Sequence, residues 1–395
     1  MNLGIPGGRR ITPARAAIAG GTAVAVATAV TLSLTLTHGA AAAKPAKPAN
    51  ARLSASSCTG PTGAAYIALP GYQAFDAVNS ANCALVQQYN VADSLTPNTG
   101  TTDVSYDSTD EGVAMYGSTL YFADTGNDTV AVLNSAALSV KNYEEPAETL
   151  IPVGVNPDSL AVTPDGSQVW VADTGPQTGL PALADLKVIS TASDTVTKTL
   201  NLPTEPRQIA FSPSGSTAYV TTSLGLYVIN TATVRVTGLI PGLGDPEGVT
   251  VSRDGKTVYV TNTARNQVDV INAAARWVTR AIGVGQMPWQ MALSANGSTL
   301  YVADGDSNAV SVISTATDQV TSTISDAGDP VSVALTPDGS ELWVGGLTSG
   351  IVSVFDTSNG ALVGTFNVGY GGEANAGDGE EPTGIVFSST PTPGS

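Results

Sequence analysis

The hydrophobic positions of this chain follow a unit that recurs along most of its length. A typical unit has a proline, a short apolar run, a glycine turn and an aromatic–Val–Ala/Thr–Asp/Asn segment, as in the stretches that begin at Asp245 and Met287. The aromatic position is occupied by Tyr66, Tyr121, Trp170, Tyr219, Tyr259, Tyr301 and Trp343. Intervals of roughly 40–55 residues between these positions indicate a repeat architecture.

Each unit predicts four strands, which are named a to d in chain order. Strand a is a short apolar run, such as 208–212 or 248–252, and its uninterrupted hydrophobicity predicts an innermost strand packed on both faces. Strand c alternates apolar and polar residues, as at 310–313. The a–b connections carry strong hairpin signals. These are Asp165-Gly166, Asp254-Gly255, Asn296-Gly297 and Asp338-Gly339.

The first and last units are incomplete in complementary ways. The N-terminal unit, from Tyr66 to Val91, contains strands b, c and d but lacks strand a, whereas 383–388 has the pattern of a strand a with nothing after it. Joining the two gives seven units and removes exposed sheet edges. The sequence therefore predicts an all-β fold, a seven-bladed β-propeller of four-stranded antiparallel blades, closed by pairing of the C-terminal strand with the N-terminal blade.

The motifs of the repeat carry a family resemblance. The runs Tyr-Val-Thr-Thr at 219–222, Tyr-Val-Thr-Asn at 259–262 and Tyr-Val-Ala-Asp at 301–304 resemble the YVTN β-propeller repeat of exported and surface-layer proteins, part of a lactonase-like propeller superfamily. The resemblance covers about residues 60–389 and implies the propeller fold. It leaves function open, because such propellers serve as lactonases, lyases, quinoproteins and binding scaffolds.

The N-terminus is predicted to be an export signal. Arg9, Arg10 and Arg15 precede an apolar stretch and a run of alanines that ends at Ala43. Ordinary secretion is favoured over the twin-arginine route, and an uncleaved membrane anchor remains an alternative. The predicted organisation is an export signal at 1–43, a flexible linker at 44–57, the propeller at 58–389 and a C-terminal tail at 390–395, in a secreted or cell-surface protein.

The net charge of the chain argues against one class of partner, the nucleic acids. The formal net charge is −17, and removal of the export signal with its three arginines takes it to −20. Such a surface repels phosphate backbones, so no nucleic-acid partner is expected. A protein, a glycan or a small-molecule ligand at the rim of the propeller is expected instead.

Histidine is absent after the export signal, because the single histidine is His38. This argues against His-based acid–base catalysis, Ser-His-Asp triads and His metal sites, including the lyases and lactonases of this superfamily that depend on histidine. The leading hypothesis is a non-catalytic binding, interaction or surface-structural module, with no catalytic residue assigned. The alternative is a propeller-type hydrolase or lactonase that uses carboxylates and a divalent cation at the channel mouth.

Acidic residues precede several of the repeat prolines, where strand a begins. Because the seven a strands line one channel, these carboxylates are expected to gather at its mouth and to suit an oxygen-ligated cation, with Ca²⁺ the most plausible. The proposed metal ligands are Glu205, Asp245, Asp329 and Glu381. Arg207, one residue beyond Pro206, is placed to offset part of their charge, and Glu247 lies nearby. The opposing interpretation is turn chemistry and solubility.

Two further features are candidates for binding a ligand or a cation. Trp289 and Met287 flank Pro288 at the predicted mouth, where a ligand-stacking role competes with simple packing. Together with Arg207 and Glu247 they are the candidate ligand-binding residues. The run 304–308 resembles the start of a calcium loop but lacks its glycine and its bidentate glutamate, so a turn stabilised by Asx hydrogen bonds is favoured.

Cys58 and Cys83, the two cysteines of the chain, follow the export signal, where oxidation is permitted. In the repeat alignment Cys83 falls in a c–d turn and Cys58 just before a strand b, and these two positions share a rim of an antiparallel blade. A Cys58–Cys83 disulfide is therefore predicted.

Overall fold

The structure, a computed structural model, describes residues 64–69, 74–79, 84–90, 112–125, 127–135, 149–175, 184–326, 328–347, 350–368, 382 and 384–387. All of them fall within the unit Pro48–Ser395. Cys58, Cys83 and Glu381 lie outside the described residues, so the disulfide and this one proposed metal ligand stay predictions.

The described strands form seven four-stranded antiparallel sheets, numbered here as blades 1 to 7. Blade 1 contains β1 (Ala64–Leu69), β2 (Ala74–Asn79), β3 (Ala84–Asn90) and β28 (Gly384–Phe387). Blade 2 contains β4 (Val113–Tyr116), β5 (Thr119–Asp124), β6 (Thr129–Asn134) and β7 (Thr149–Pro152). Blade 3 contains β8 (Pro157–Val162), β9 (Gln168–Asp173), β10 (Asp185–Ser190) and β11 (Thr195–Asn201).

The remaining four blades repeat the same order. Blade 4 contains β12 (Pro206–Phe211), β13 (Thr217–Thr222), β14 (Gly225–Asn230) and β15 (Arg235–Ile240). Blade 5 contains β16 (Pro246–Val251), β17 (Thr257–Asn262), β18 (Gln267–Asn272) and β19 (Trp277–Gly283). Blade 6 contains β20 (Pro288–Leu293), β21 (Thr299–Asp304), β22 (Ala309–Ser314) and β23 (Gln319–Ser325). Blade 7 contains β24 (Pro330–Leu335), β25 (Glu341–Gly346), β26 (Ile351–Asp356) and β27 (Leu362–Asn367).

The ring closes within blade 1, as the sequence predicted. β28 pairs antiparallel with β1, with Ala65 opposite Phe387 and Ala68 opposite Gly384, and it supplies the innermost strand of the blade. The seven inner strands β28, β4, β8, β12, β16, β20 and β24 contact one another in succession around the ring. The seven-bladed, all-β architecture is confirmed.

The a–b hairpins owe their geometry to glycine. Gly166 and Gly339 both have φ of 71°, in the left-handed region that glycine reaches without steric cost. In the first of these turns the Gly166 N–H donates to the Thr163 carbonyl at 2.8 Å, and the Thr163 hydroxyl donates to Asp165 Oδ1 at 2.7 Å. The Asp-Gly pairs therefore close hairpins, as predicted.

Burial is deeper on strand b than on strand a. In β21 every residue after Thr299 is buried, whereas β20 is half-buried after Pro288. The prediction that the inner strands are packed on both faces holds for β20, whose Ala292 packs at the boundary with blade 7 and whose Met291 and Leu293 pack at the boundary with blade 5. Strand b has a sheet neighbour on each side and a neighbouring blade on each face.

The hydrophobic core is divided among the blade boundaries. Within the part of the chain that is described, buried apolar side chains form seven clusters, each shared by two adjacent blades. Ile67 of blade 1 packs with Trp343 of blade 7, so the closing boundary has a core of its own. The seven recurring aromatics of strand b are all buried in these clusters. Each boundary therefore contributes separately to stability.

Candidate binding site at the channel mouth

Strand a begins at one end of the propeller with a proline and then a bulge. In blade 5, Pro246 lies opposite Asn262, but the next paired residue is Val249, opposite Val260. Similar register shifts follow the first proline of β8, β12, β20 and β24. A bulge re-aims the side chains near it. The residues after these prolines, called here the mouth residues, are Asp158, Arg207, Glu247, Trp289 and Val331.

Hydroxyl groups of strand b fix these bulges to the next blade. Thr261 of β17 accepts a hydrogen bond from the Gly248 N–H at 2.6 Å and donates one to the Trp289 carbonyl at 2.8 Å. A Cβ on Gly248 would lie 2.4 Å from that carbonyl oxygen, so only glycine fits there. Thr221 makes the same bridge from blade 4 to the Glu247 carbonyl. The backbone carbonyls of Glu247 and Trp289 are thus each bonded to strand b of the preceding blade.

The hydrogen bonds of the Thr261 hydroxyl can be tested by mutation. Thr261→Val keeps the shape of the side chain but leaves the buried Gly248 N–H without its hydroxyl acceptor, so a loss of about 1–3 kcal/mol in the free energy of unfolding is expected. Thr261→Ser retains the hydroxyl and is expected to lose less than half as much. Urea unfolding followed by tryptophan fluorescence measures both. A loss for Thr261→Ser as large as that for Thr261→Val would contradict the hydroxyl as the dominant contribution.

Arg207 is the centre of an ion-paired group that spans two blades. Its Nη1 donates to Asp245 Oδ1 at 2.7 Å, to the Pro246 carbonyl at 3.1 Å and also to Glu247 Oε1. Asp245 retains 46% exposure of its side chain and Glu247 only 13%. The structure therefore brings together three residues that were singled out from the sequence, and it joins blades 4 and 5 at the mouth.

The other proposed metal ligands are not brought to this group. Glu205 is exposed, and Asp329 is half-buried, with its backbone N–H donating to Asn308 Oδ1 at 3.0 Å. Across the described ranges, no three acidic, cysteine or histidine side chains converge as they would around a metal ion. The calcium site remains a prediction that the described residues do not assemble.

Trp289 and Met287 occupy the mouth in different ways. Trp289 is half-buried and packs against the core shared by blades 6 and 7, with its indole against Gly305 of the b–c loop. Met287 has φ of 51° and contributes through its backbone, since its N–H donates to Asn266 Oδ1 at 3.2 Å and its carbonyl accepts from Gly305. Trp289 thus presents part of an aromatic surface, whereas the Met287 backbone is part of the frame.

Comparisons with known proteins bear on this frame. The model of the Choice-of-anchor I domain matches residues 64–295, more than half of the chain. The chain belongs to the Choice-of-anchor I domain family. The channel mouth described above, with its hydrogen bonds between blades, is therefore part of a Choice-of-anchor I domain.

Solved structures support the fold of this Choice-of-anchor I domain. A functionally unknown protein from Desulfotomaculum acetoxidans DSM 771 is similar with a TM-score of 0.62 and 16% identity, covering 83% of this chain and 99% of that one. Hydrazine synthase from Kuenenia stuttgartiensis is similar with a TM-score of 0.54 and 23% identity, covering 67% and 81%. A search of the curated proteins found no match. These likenesses show a shared fold only.

The b–c loop at 304–308 of the Choice-of-anchor I chain is a turn. Gly305–Ser307 forms a 3-10 helix, and Asn308 follows with φ of 50° and donates its N–H to the Gly305 carbonyl. Asp304 is turned inward, where its Oδ2 accepts from the Ser311 hydroxyl at 2.5 Å. The side chain that would open a calcium loop is therefore directed into the blade, as the turn interpretation expects.

The sequence analysis missed a set of buried polar residues beneath the rim of this domain. The last residue of strand b is fully buried in several blades, and connector glycines lie against three of these side chains. The residues are Asp124, Asp173, Asn262 and Asp304, with Gly154, Gly244 and Gly285 packed on the last three. Burial raises the pKa of Asp304 to about 6, against hydrogen bonds from Ser311 and Gly285 that lower it. The available signal was the Asp or Asn that ends the repeat motif at these four positions.

Proposed function

We propose that this chain is an exported, non-catalytic β-propeller that presents its channel mouth as a binding or surface-structural module outside the cell. The observation that carries this proposal is the pairing of Arg207 with Asp245 and Glu247. Both carboxylates are bonded to the same guanidinium, whereas a general base needs an oxygen that can reach the proton it removes. The group therefore suits recognition better than acid–base chemistry.

Export and surface display are supported by the N-terminal pattern and by the family. The arginines, apolar stretch and alanine run of residues 1–43 have the order of an export signal. The description of the family as a choice-of-anchor domain is compatible with display at a cell surface. Among the described residues, no helix has the length and apolar character to cross a bilayer. Within this family, the Tyr-Val motifs of β13, β17 and β21 support repeats of the YVTN type.

The chemistry of the mouth favours a ligand with an apolar face and several polar groups. Trp289 offers aromatic surface, and the Arg207–Glu247 pair offers a donor and an acceptor in fixed positions. Sites of this kind orient a ligand with a few polar groups set in an otherwise apolar surface. A glycan is the first candidate, with a protein or a small molecule as the other partners to be tested. The hydrolase alternative has no specific support at Asp245 or Glu247, because Arg207 engages both.

Binding to an array of neutral and acidic oligosaccharides tests the proposal. Trp289→Ala is expected to weaken binding about tenfold, the effect of losing one aromatic anchor. Trp277→Ala is the matched control, because Trp277 lies on the outermost strand of blade 5 with 63% exposure. The same protein is assayed for lactone hydrolysis, with millimolar calcium and with chelator.

The outcomes separate the hypotheses. Glycan binding that Trp289→Ala reduces and Trp277→Ala leaves unchanged supports a binding module. Calcium-dependent lactone turnover would contradict the non-catalytic assignment and support the hydrolase. Equal loss of binding in both tryptophan variants would place the binding surface elsewhere.

A further inference from the structure

Blade 3 contains a pair of buried carboxyl groups that lie directly opposite one another. Asp173 ends β9, Asp185 begins β10, and the two are partners in the antiparallel ladder. Their side chains are 2% and 12% exposed. Gly154, in the connector between blades 2 and 3, packs directly on Asp173, since a Cβ on Gly154 would lie 2.3 Å from Asp173 Oδ2. One oxygen of each carboxyl group lies within 3.9 Å of the same Lys187 ammonium, so the two groups face a common point.

Among the described residues, one cation accompanies this pair. Lys187 Nζ lies 2.7 Å from Asp185 Oδ2 and 3.9 Å from Asp173 Oδ2, so it forms a close ion pair with Asp185 only. Asp128, on the b–c loop of blade 2, also acts on Asp173, and it is negative. β8 adds no charge at this pairing position, since Pro157 is opposite Asp173. Two buried carboxylates beside one ammonium would leave an uncompensated charge in a poorly solvated place.

The hydrogen bonding of the two carboxyl groups also shows a shortage of donors. Within the described residues, neither oxygen of Asp173 receives a hydrogen bond from a donor, and Oδ1 of Asp185 also lacks one. A carboxylate only accepts, so two of them facing each other cannot satisfy one another. One proton on Asp173 changes this, because its O–H can donate to Asp185 while Lys187 retains its bond to the other Asp185 oxygen.

In blades 5 and 6, neutral side chains donate to the buried aspartate of the equivalent cluster. In blade 5, Asn262 occupies the position of Asp173 and its Nδ2 donates to Asp269 Oδ2 at 2.9 Å. Gln267, in the position of Asp185, donates to Asp269 Oδ1 at 2.6 Å. In blade 6, the hydroxyl of Ser311 donates to Asp304. These aspartates each accept a hydrogen bond from a neutral donor, which neither oxygen of Asp173 does among the described residues of blade 3.

We propose that Asp173 and Asp185 share one bound proton, which makes blade 3 a pH-sensitive element of the rim. The proton resides on Asp173, and its loss leaves two opposed carboxylates at the ends of β9 and β10. The strand ends that carry the b–c loop of blade 3 are then destabilised. The inference is independent of the proposed binding function.

The direction of the pH effect follows from the pKa of Asp173. Burial is the largest cause that raises this pKa, to about 8 from an ordinary value of 3.8, with Asp185 and Asp128 raising it further and Lys187 lowering it. A carboxyl group whose folded pKa is raised contributes stability that is complete below its unfolded pKa. That contribution is lost as the pH rises through the neutral range towards about 8.

Thermal unfolding across pH tests the proposal, with Asp173→Asn as the main variant. Asparagine supplies the donor permanently, as Asn262 does in blade 5. The melting temperature of the wild type is therefore expected to fall relative to that of the variant from about pH 5 upward. The difference should stop growing near pH 8, where Asp173 is deprotonated. Asp304→Asn is the control, since its own difference should stop growing near pH 6.

A converse variant and a direct measurement complete the design. Asn262→Asp places a second carboxyl group beside Asp269 and is expected to install a new loss of stability with rising pH in blade 5. In the wild type, infrared spectroscopy with ¹³C-labelled aspartate should show a protonated carboxyl band at neutral pH that disappears above about pH 8. Parallel pH profiles of the melting temperature for wild type and Asp173→Asn would overturn the shared proton. If Asp173→Asn does not fold, the absence of the protonated carboxyl band in the wild type would overturn it instead.

Discussion

Deletion of residues 382–395 is expected to remove most or all of the stability of the propeller. The deletion takes away β28, whose Ile385 and Phe387 pack in the core between blades 1 and 7, with the Phe387 ring 5.1 Å from that of Trp343. Each buried apolar side chain contributes about 1.5–3 kcal/mol, against a total of roughly 5–15 kcal/mol for a domain. The loss also exposes the edge of β1, which invites aggregation.

Circular dichroism melting and size-exclusion chromatography measure this effect. Deletion of 390–395 alone is the control and should leave the melting temperature unchanged, because it spares β28. A synthetic peptide of residues 382–389, added to the truncated protein, is expected to restore part of the lost stability. If the truncated protein melts like the full chain, the pairing of β28 with β1 does not close the ring.

Replacement of Trp343 by alanine is expected to cost about 3–5 kcal/mol in the free energy of unfolding. Trp343 is fully buried and makes edge contacts with Phe366 and Phe387, both with ring centroids 5.1 Å away. Its indole N–H also donates to Glu341 Oε2 at 3.2 Å. The substitution therefore opens a large cavity at the boundary that closes the ring.

Trp277→Ala supplies the comparison for this prediction. It removes the same atoms from a side chain with 63% exposure on β19, so a change within about 0.5 kcal/mol is expected. Urea unfolding of both variants gives the two values. A cost at Trp343 no larger than that at Trp277 would contradict the assignment of the closing boundary as a well-packed core.

Repetition explains why the blades could be predicted from the sequence. A single short apolar run such as that of β12 is ambiguous, but seven copies in register identify the strand that follows each proline. The same register placed Arg207 and Glu247 at equivalent positions of adjacent blades, and the structure brings them into contact. Closure was predictable because the missing strand of blade 1 and the extra run near Ile385 complement each other.

Burial within a blade was harder to predict. A continuous apolar run can border a channel or lie within a sheet, and the residues of β20 do not distinguish the two. The Asp that ends β9 resembles the polar end of any surface strand. Its inward orientation depends on Gly154, which arrives from the connector after blade 2, and on Asp185 across the b–c loop. Such a site is assembled from three segments, so no single motif reveals it.

The pairing of β28 with β1 also sets the order of events during biosynthesis. A chain that emerges from the ribosome, or from a membrane pore, presents β1 long before Gly384–Phe387 can reach it. Until then the first blade keeps an unpaired edge, and its boundary with blade 7 does not exist. β28 is therefore the strand that completes the fold. A chain truncated before Gly384 keeps an exposed strand edge and apolar surface, which proteases and chaperones recognise.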